Sequence, residues 1–182
     1  GVQTCALPIY SDMKKFLLLL AFATSMFAFS IDYDGFEADF VQTVKNKSGK
    51  KIEYYGKLKA KKPDKGVWEY SKPVKKTVFV NGDSVIVYEP LLSQAKYLKK
   101  RNSISLDAIL KNAKQNNDGT FSTKDGDITY NFSVSSGMVE KLWYKDAMDN
   151  DVTIAFDDRK KNQSIPNSTF EFKPSAEIDI IK

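Results

Sequence analysis

The sequence predicts a mainly β protein, an antiparallel sheet closed into a barrel or strongly curved on itself and crossed by one helix. Three observations carry that prediction. From Val41 onward short runs alternate apolar and polar residues, turn signals separate them at barrel-like spacing, and a single stretch near Leu106 switches to helical periodicity. At 182 residues, with 42% hydrophobic and 28% charged, the chain has the length of one domain and a globular balance. That balance fits neither a disordered tail nor a polytopic membrane protein.

The first element is an export signal. Met13-Lys14-Lys15 and the apolar run Phe16 to Ala23 have the charge and length of a signal peptide, and the run falls short of the roughly 20 residues a transmembrane helix needs. Ala28-Phe29-Ser30 supplies a small-x-small cleavage site, so residues 13–30 read as the signal peptide and Ile31 as the mature start, with cleavage after Ala28 as the alternative. Residues 1–12 place Pro8 and Asp12 ahead of the basic region, which is not how export signals begin, and read as a non-native upstream segment. Residues 31–182 are then the single folded domain. Taking Lys14, Lys15 and Asp12 from the 28 basic and 23 acidic residues leaves 26 and 22, a modest net +4. No cysteine follows the apolar run, so no lipid anchor can form there and no disulfide staples the domain.

The sheet elements follow in order. Asn81-Gly82 lies between Thr77–Val80 and Val85–Tyr88 and favours the positive φ of a tight hairpin. Asp125-Gly126-Asp127 separates Thr120–Thr123 from Ile128–Val134, Ser135-Ser136-Gly137 precedes Val139–Tyr144, and Asp149-Asn150-Asp151 precedes Val152–Phe156. The exception is the stretch with Leu106, Ile109, Leu110 and Ala113 at i, i+3, i+4 and i+7, capped by Ser105 or Ser103 and stopped by Asn116–Gly119. It predicts an amphipathic helix over 105–116.

Composition removes several chemistries. The chain has no histidine, and its one cysteine is Cys5, which excludes a Ser-His-Asp triad, a Cys-His dyad and zinc sites built on His or Cys. Asp146, Asp149, Asn150 and Asp151 lack the glycine and glutamate positions of a calcium loop, and Asp157-Asp158, as neighbours in a strand, would face opposite ways. Both sets read as hairpin turns. Between Lys45 and Lys76 there are 12 lysines against Glu53, Asp64 and Glu69, interleaved with Tyr54, Tyr55, Trp68 and Tyr70. Export and the lack of arginine in the run argue against nucleic acid; a solvated strand face comes first, a docking surface for an acidic or membrane-linked partner second. Aromatic residues such as Phe40, Trp68, Phe79, Tyr88, Phe121, Phe132, Trp143, Phe156, Phe170 and Phe172 fall largely in the alternating runs. They are core by default, but a sheet curved on itself is wide enough to hold a ligand beneath a helix.

Phe36-x-x-x-Phe40-x-Gln42, Gly56-x-Leu58, Lys62-Pro63-x-x-x-x-Trp68, Pro73, Asn81-Gly82, Tyr88-x-Pro90, Gln94 and a closing Phe170-x-Phe172-x-Pro174 stand in one order and spacing. The set resembles the LolA family of periplasmic lipoprotein carriers over nearly the whole mature chain, with Phe170–Pro174 matching its last strand. The resemblance implies an open, incomplete antiparallel β-barrel with an α-helical lid. Between them an apolar cavity takes lipoprotein acyl chains from the inner-membrane Lol ABC transporter and passes them to an outer-membrane acceptor, LolB or an equivalent. It implies a monomer working in the periplasm, with no catalytic residue, metal or cofactor. The expected lining is Phe40, Trp68, Phe79, Tyr88 and Leu142, with Leu106, Ile109 and Leu110 from the lid; since one strand parity faces inward, some of these point outward.

The family's lid-fixing arginine precedes a proline, and here the position is Lys62 before Pro63, an ammonium able to donate to lid carbonyls but without the planar fork of a guanidinium. Only Ile31 to Gly35 precede Phe36, too few for the amphipathic helix the family has there, so half the lid is missing or replaced by the 105–116 helix. Two rivals stand beside this reading. One is a carrier of free phospholipid or fatty acid on the same fold; the other is an enzyme built on carboxylates such as Asp157 with Glu171.

Overall fold

The structure, a computed structural model, describes residues 33–99 and 106–181. The signal peptide, the upstream segment, the mature start and the Ser103 or Ser105 cap fall outside the described residues. Twelve strands form one sheet: β1 (Gly35–Lys45), β2 (Lys51–Lys61), β3 (Lys65–Lys72), β4 (Lys76–Asn81), β5 (Ser84–Glu89), β6 (Gln94–Lys99), β7 (Lys114–Gln115), β8 (Phe121–Asp125), β9 (Ile128–Ser135), β10 (Met138–Lys145), β11 (Asp151–Lys161) and β12 (Asp179–Ile181). Their order is β12-β6-β5-β4-β3-β2-β1-β11-β10-β9-β8-β7, so the two ends of the sheet are different strands and the barrel is open. All neighbours are antiparallel except β12, which runs parallel to β6.

The sheet is strongly curved. Strands lie about 4.8 Å apart, so β3 and β10, four spacings from one another, would stand about 19 Å apart in a flat sheet. Yet Tyr70 on β3 acts electrostatically on Tyr144 on β10, and the ring of Trp68 on β3 lies 6.2 Å from that of Phe156 on β11, three spacings away. The concave side is therefore the inner face. The β1–β2, β3–β4, β5–β6, β8–β9 and β10–β11 connections all fall at one end of the sheet, the upper rim. The helix α1 (Leu106–Lys111) packs on the inner face near the other end.

Local chemistry explains most elements, and it corrects several expectations. The Asn81 hairpin forms, but the turn is Gly82-Asp83, with Asn81 paired to Ser84 and the positive φ of 57° at Gly82. Ser136 and Gly137 both take positive φ, 55° and 70°, as a two-residue turn between twisted strands demands. The helix is shorter than the expected 105–116. Beyond it Lys114 and Gln115 pair with β8, and Asn116 donates its backbone N–H to the Thr120 carbonyl at 2.8 Å, so the chain spends these groups on a hairpin.

Asp157-Asp158 is not a turn. It lies within β11 at a bulge opposite Glu37–Asp39, with Asp158 at φ 44°. The closing Phe170–Pro174 segment is not a strand either: Asn167–Phe170 is a 3₁₀ turn and the following residues join no ladder, as suits a stretch that ends on a proline without an N–H. It packs instead on the outer face, where Phe170 and Ile165 are buried with Val67.

Candidate functional site

The inner face is built from alternate residues of seven strands. Phe36, Ala38 and Phe40 on β1, Leu58 and Ala60 on β2, Trp68 on β3, Leu142 on β10 and Ile154 and Phe156 on β11 are all buried in one cluster, joined by Tyr130 and Phe132 on β9 and Phe121 on β8. Phe40 is the hub: its ring meets those of Trp68 at 5.2 Å and Tyr70 at 5.0 Å, both edge to face, the arrangement that ring quadrupoles favour. Across the face Phe121 stacks on Phe132 at 5.3 Å.

The helix closes this surface. Leu106 and Ile109 are buried and Leu110 packs beside them. Leu106 reaches toward β2–β4, where with Leu58, Ala60, Gly66, Trp68 and Val80 it bounds a cavity of about 10 Å³. At the other end of the helix Thr123 on β8 donates its hydroxyl to the Asn112 carbonyl at 3.3 Å. One helical turn and a half thus bridges the two arms of the curved sheet, and its own apolar side chains fill the space beneath it. Tyr33, just before β1, is buried at this end; burial, and then the charge of Asp107 on the helix, push its hydroxyl well above the ordinary tyrosine range.

Of the eight residues expected to line a cavity, six share this face: Phe40, Trp68, Leu142, Leu106, Ile109 and Leu110. Phe79 and Tyr88 do not join them. In the β3–β4 register Trp68 pairs with Val78 and Val67 with Phe79, so Phe79 shares the outer face with Val67. Tyr88 has the same parity, and the ring of Phe172 covers both, at 5.5 Å from Phe79 and 5.2 Å from Tyr88. Lys62 and Pro63 sit in the β2–β3 turn, Lys62 half-buried and Pro63 exposed. The Lys62 backbone N–H donates to the Asp34 carbonyl at 3.1 Å, and Ala60, Lys65 and Gly66 around this turn border the Leu106 cavity.

The sequence reading missed a tyrosine-lined region toward the upper rim. The Tyr70 hydroxyl donates to Gln42 Oε1 at 2.8 Å, and the Lys76 ammonium lies 4.4 Å from the Tyr70 ring centre and 5.3 Å from that of Tyr54. Burial raises Tyr70 to about 12 and lowers Lys76. Burial likewise raises Tyr130 to about 12, and Tyr144, which also feels Tyr130 and Tyr70, still further. Period-two alternation in β3 and β10 carries this signal, but tyrosine spread over four strands reads as composition until the sheet curls.

The acidic groups are used elsewhere. Asp146 closes the β10–β11 connection by accepting the backbone N–H groups of Met148 and Asn150, both at 2.9 Å, and Asp149 pairs with Lys47 at 2.9 Å. Asp157 borders a groove of about 900 Å³ with Asp39, Lys57, Glu69 and Lys141, which Phe40, Tyr70 and Phe156 also line; Glu171 does not border it. The two carboxylates weighed as a catalytic pair do not share this groove.

Comparison with known proteins agrees with this architecture. The family model described as outer membrane lipoprotein carrier protein LolA matches residues 32–133. A Wolinella succinogenes protein named outer-membrane lipoprotein carrier protein is 34% identical over 171 residues, covering 93% of this chain and 99% of that protein. A Helicobacter pylori protein of the same name is 40% identical over 148 residues, 81% of this chain and 79% of the relative. Among solved structures, an uncharacterized conserved protein from Thermus thermophilus superposes with a TM-score of 0.52 at 9% identity, covering 83% of this chain and 91% of that one, a likeness of fold alone.

Proposed function

The chain belongs to the LolA family of outer membrane lipoprotein carrier proteins, and from that premise we propose that its inner face is the acyl-chain site of a periplasmic lipoprotein carrier. Lipoproteins are released to it by the inner-membrane Lol transporter and delivered to an outer-membrane acceptor, LolB or an equivalent. The observation that carries the reading is an aromatic and aliphatic inner face shut, among the described residues, by one short helix that contributes only Leu106, Ile109 and Leu110. Entry of cargo means exchange. An acyl chain contributes about 0.8 kcal/mol per buried CH₂, on the order of 10 kcal/mol per chain. Lifting three aliphatic residues into water costs about 1.5–3 kcal/mol each. The balance favours cargo without making it permanent, which is what a carrier needs and what a lipid anchor in water cannot achieve alone. No acid, base or metal enters such a cycle, so the proposed role is carriage and not catalysis.

Within it, Phe40, Trp68 and Leu142 form the floor, the three helix residues form the lid, and Lys62 at the β2–β3 turn holds the lid by donating to its carbonyls. The test is to purify the protein from the cell envelope and identify its hydrophobic cargo by mass spectrometry. Lipid-modified N-terminal peptides are expected; free phospholipid or fatty acid alone would replace this reading with carriage of another lipid. Trp68 reports on the site. Trp143 has the opposite parity on β10 from Leu142, so a Trp143→Phe background isolates Trp68, whose emission should shift when an acyl probe enters.

A further inference from the structure

Apart from Lys62 and Lys65 at the β2–β3 turn and Lys76 against Tyr70, the lysines between Lys45 and Lys76 take no part in the inner face, and the topology gives those at the upper rim a place. The β1–β2, β3–β4 and β5–β6 connections follow one another along the upper rim, each about two strand widths, roughly 10 Å, from the next. Their tips are apolar and basic together. Leu91 and Leu92, in the 3₁₀ turn Pro90–Leu92, are 77% and 61% exposed, and Val74 in the β3–β4 connection is 46% exposed. Lys72 and Lys75 flank Val74, and Lys45, Lys50 and Lys51 follow on the β1–β2 connection, all exposed. The leucine turn is held in place. Ser93 donates its N–H to the Pro90 carbonyl at 3.2 Å and accepts the Asp179 N–H on its own carbonyl at 2.8 Å, which anchors the turn while both leucines stay exposed. Of the acids beside the turn, Glu89 acts on Lys76 and Asp179 stands at the start of β12.

We propose that this rim docks the protein on an anionic phospholipid surface, Leu91, Leu92 and Val74 entering the headgroup layer while the lysines between them meet lipid phosphates. Charge complementarity selects the lipid: each lysine near an anionic surface strengthens attraction roughly fivefold, and the apolar tips supply the part that salt does not screen. A protein partner fits less well, since a stable interface needs a contiguous patch of about 800 Å² on each side, whereas these apolar residues stand on separate loops. Docking does not rest on the acyl-carrier reading, because it is read from vesicle binding by the rim, whatever the inner face holds.

The test is sedimentation of the protein, as purified from the cell envelope, with vesicles of phosphatidylethanolamine and phosphatidylglycerol or of phosphatidylcholine alone. Binding to the anionic vesicles, weakened by salt, is expected. Leu91→Ser with Leu92→Ser should reduce it tenfold or more, and Lys72→Gln with Lys75→Gln should reduce it by at least that at low salt. Leu98→Ser, an exposed apolar residue further along β6 from this rim, should leave it unchanged, with circular dichroism confirming that each variant folds. Failure to bind anionic vesicles, equal binding by the leucine variant, or loss of binding in Leu98→Ser alone would overturn the proposal. Capture of an acidic protein by the rim in the absence of vesicle binding would also overturn it.

Discussion

A Cβ added at Gly56 would run into the carbonyl oxygen of Glu69 and come within 2.7 Å of Phe40 Cζ. The position falls where the β2–β3 register shifts, so neither strand can give way without disturbing the ladder. Gly66, two residues before Trp68, is the contrast: an added Cβ there would find its nearest neighbours at 3.9 Å. Gly56→Ala should therefore cost about 1–3 kcal/mol through displaced backbone and ring. Gly66→Ala should change stability by less than about 0.5 kcal/mol. Urea unfolding midpoints give both numbers. Because Phe40 lies edge-on to Trp68, Gly56→Ala should also move the Trp68 emission, whereas Gly66→Ala should not. Space, and not backbone freedom, is what makes Gly56 part of the Gly56-x-Leu58 motif.

At the scale of the element, α1 has six residues among those described, far below the roughly 12–15 at which an isolated helix is even marginal in water. Asp107 in its first turn and Lys111 in its last suit the helix dipole, for tenths of a kcal/mol. Its stability is therefore borrowed from the inner face through Leu106 and Ile109, and an element held that way opens when something else takes its place. If Lys62 secures the lid, its charged hydrogen bond contributes roughly 1.5–3 kcal/mol to the closed state alone. Lys62→Leu should then shift the open-to-closed ratio by about ten- to a hundredfold with the sheet intact. The expected phenotype is a carrier that loads lipoprotein but delivers it poorly, since closure no longer helps expel the acyl chains. A transfer assay from loaded carrier to acceptor membranes measures this, and undiminished delivery would return Lys62 to the solvated face.

At the scale of the whole molecule the sheet carries two apolar layers with different duties. In the proposed cycle the inner layer exchanges its cover, so it cannot be the sole source of stability. The outer layer, Val67, Ile165 and Phe170 with Phe79 packed against them and Phe172 lying over Phe79, Tyr88 and Tyr97, is permanent. Lys61 and Lys65 tie the C-terminal segment to it through the Ile165 carbonyl at 2.7 Å and Asn167 Oδ1 at 3.2 Å. Phe170→Ala should cost about 3–5 kcal/mol of stability, because Phe170 is 1% exposed and its loss leaves a cavity against Val67 and Ile165. Acyl-probe binding by the molecules that remain folded should be unchanged. Thermal unfolding together with Trp68 titration separates the two effects. An equal loss of probe affinity would mean that the layers are coupled.

The chain by itself determined most of its strands, its hairpin turns and its kinship, since alternation, Gly82, Gly126 and Gly137, and the ordered Phe36-to-Gln94 motifs are local facts, whereas the bulge at Asp157-Asp158 and the departure of Phe170–Pro174 from the sheet are not. It also determined which chemistry was missing, for a chain without histidine cannot conceal one. Only the tertiary structure decided which face each alternating residue occupies. Alternation has period two, and a strand with apolar residues on both sides, such as β3 with Val67 and Trp68 or β4 with Val78 and Phe79, carries no mark of inside and outside. That assignment came from the curl of the sheet and from a C-terminal segment that covers the outer face, a contact between residues about a hundred positions apart. The helix ended early for the same kind of reason: Lys114 and Gln115 fit the helical period, but β8 offered their backbone a partner that the sequence between Leu106 and Gly119 does not reveal.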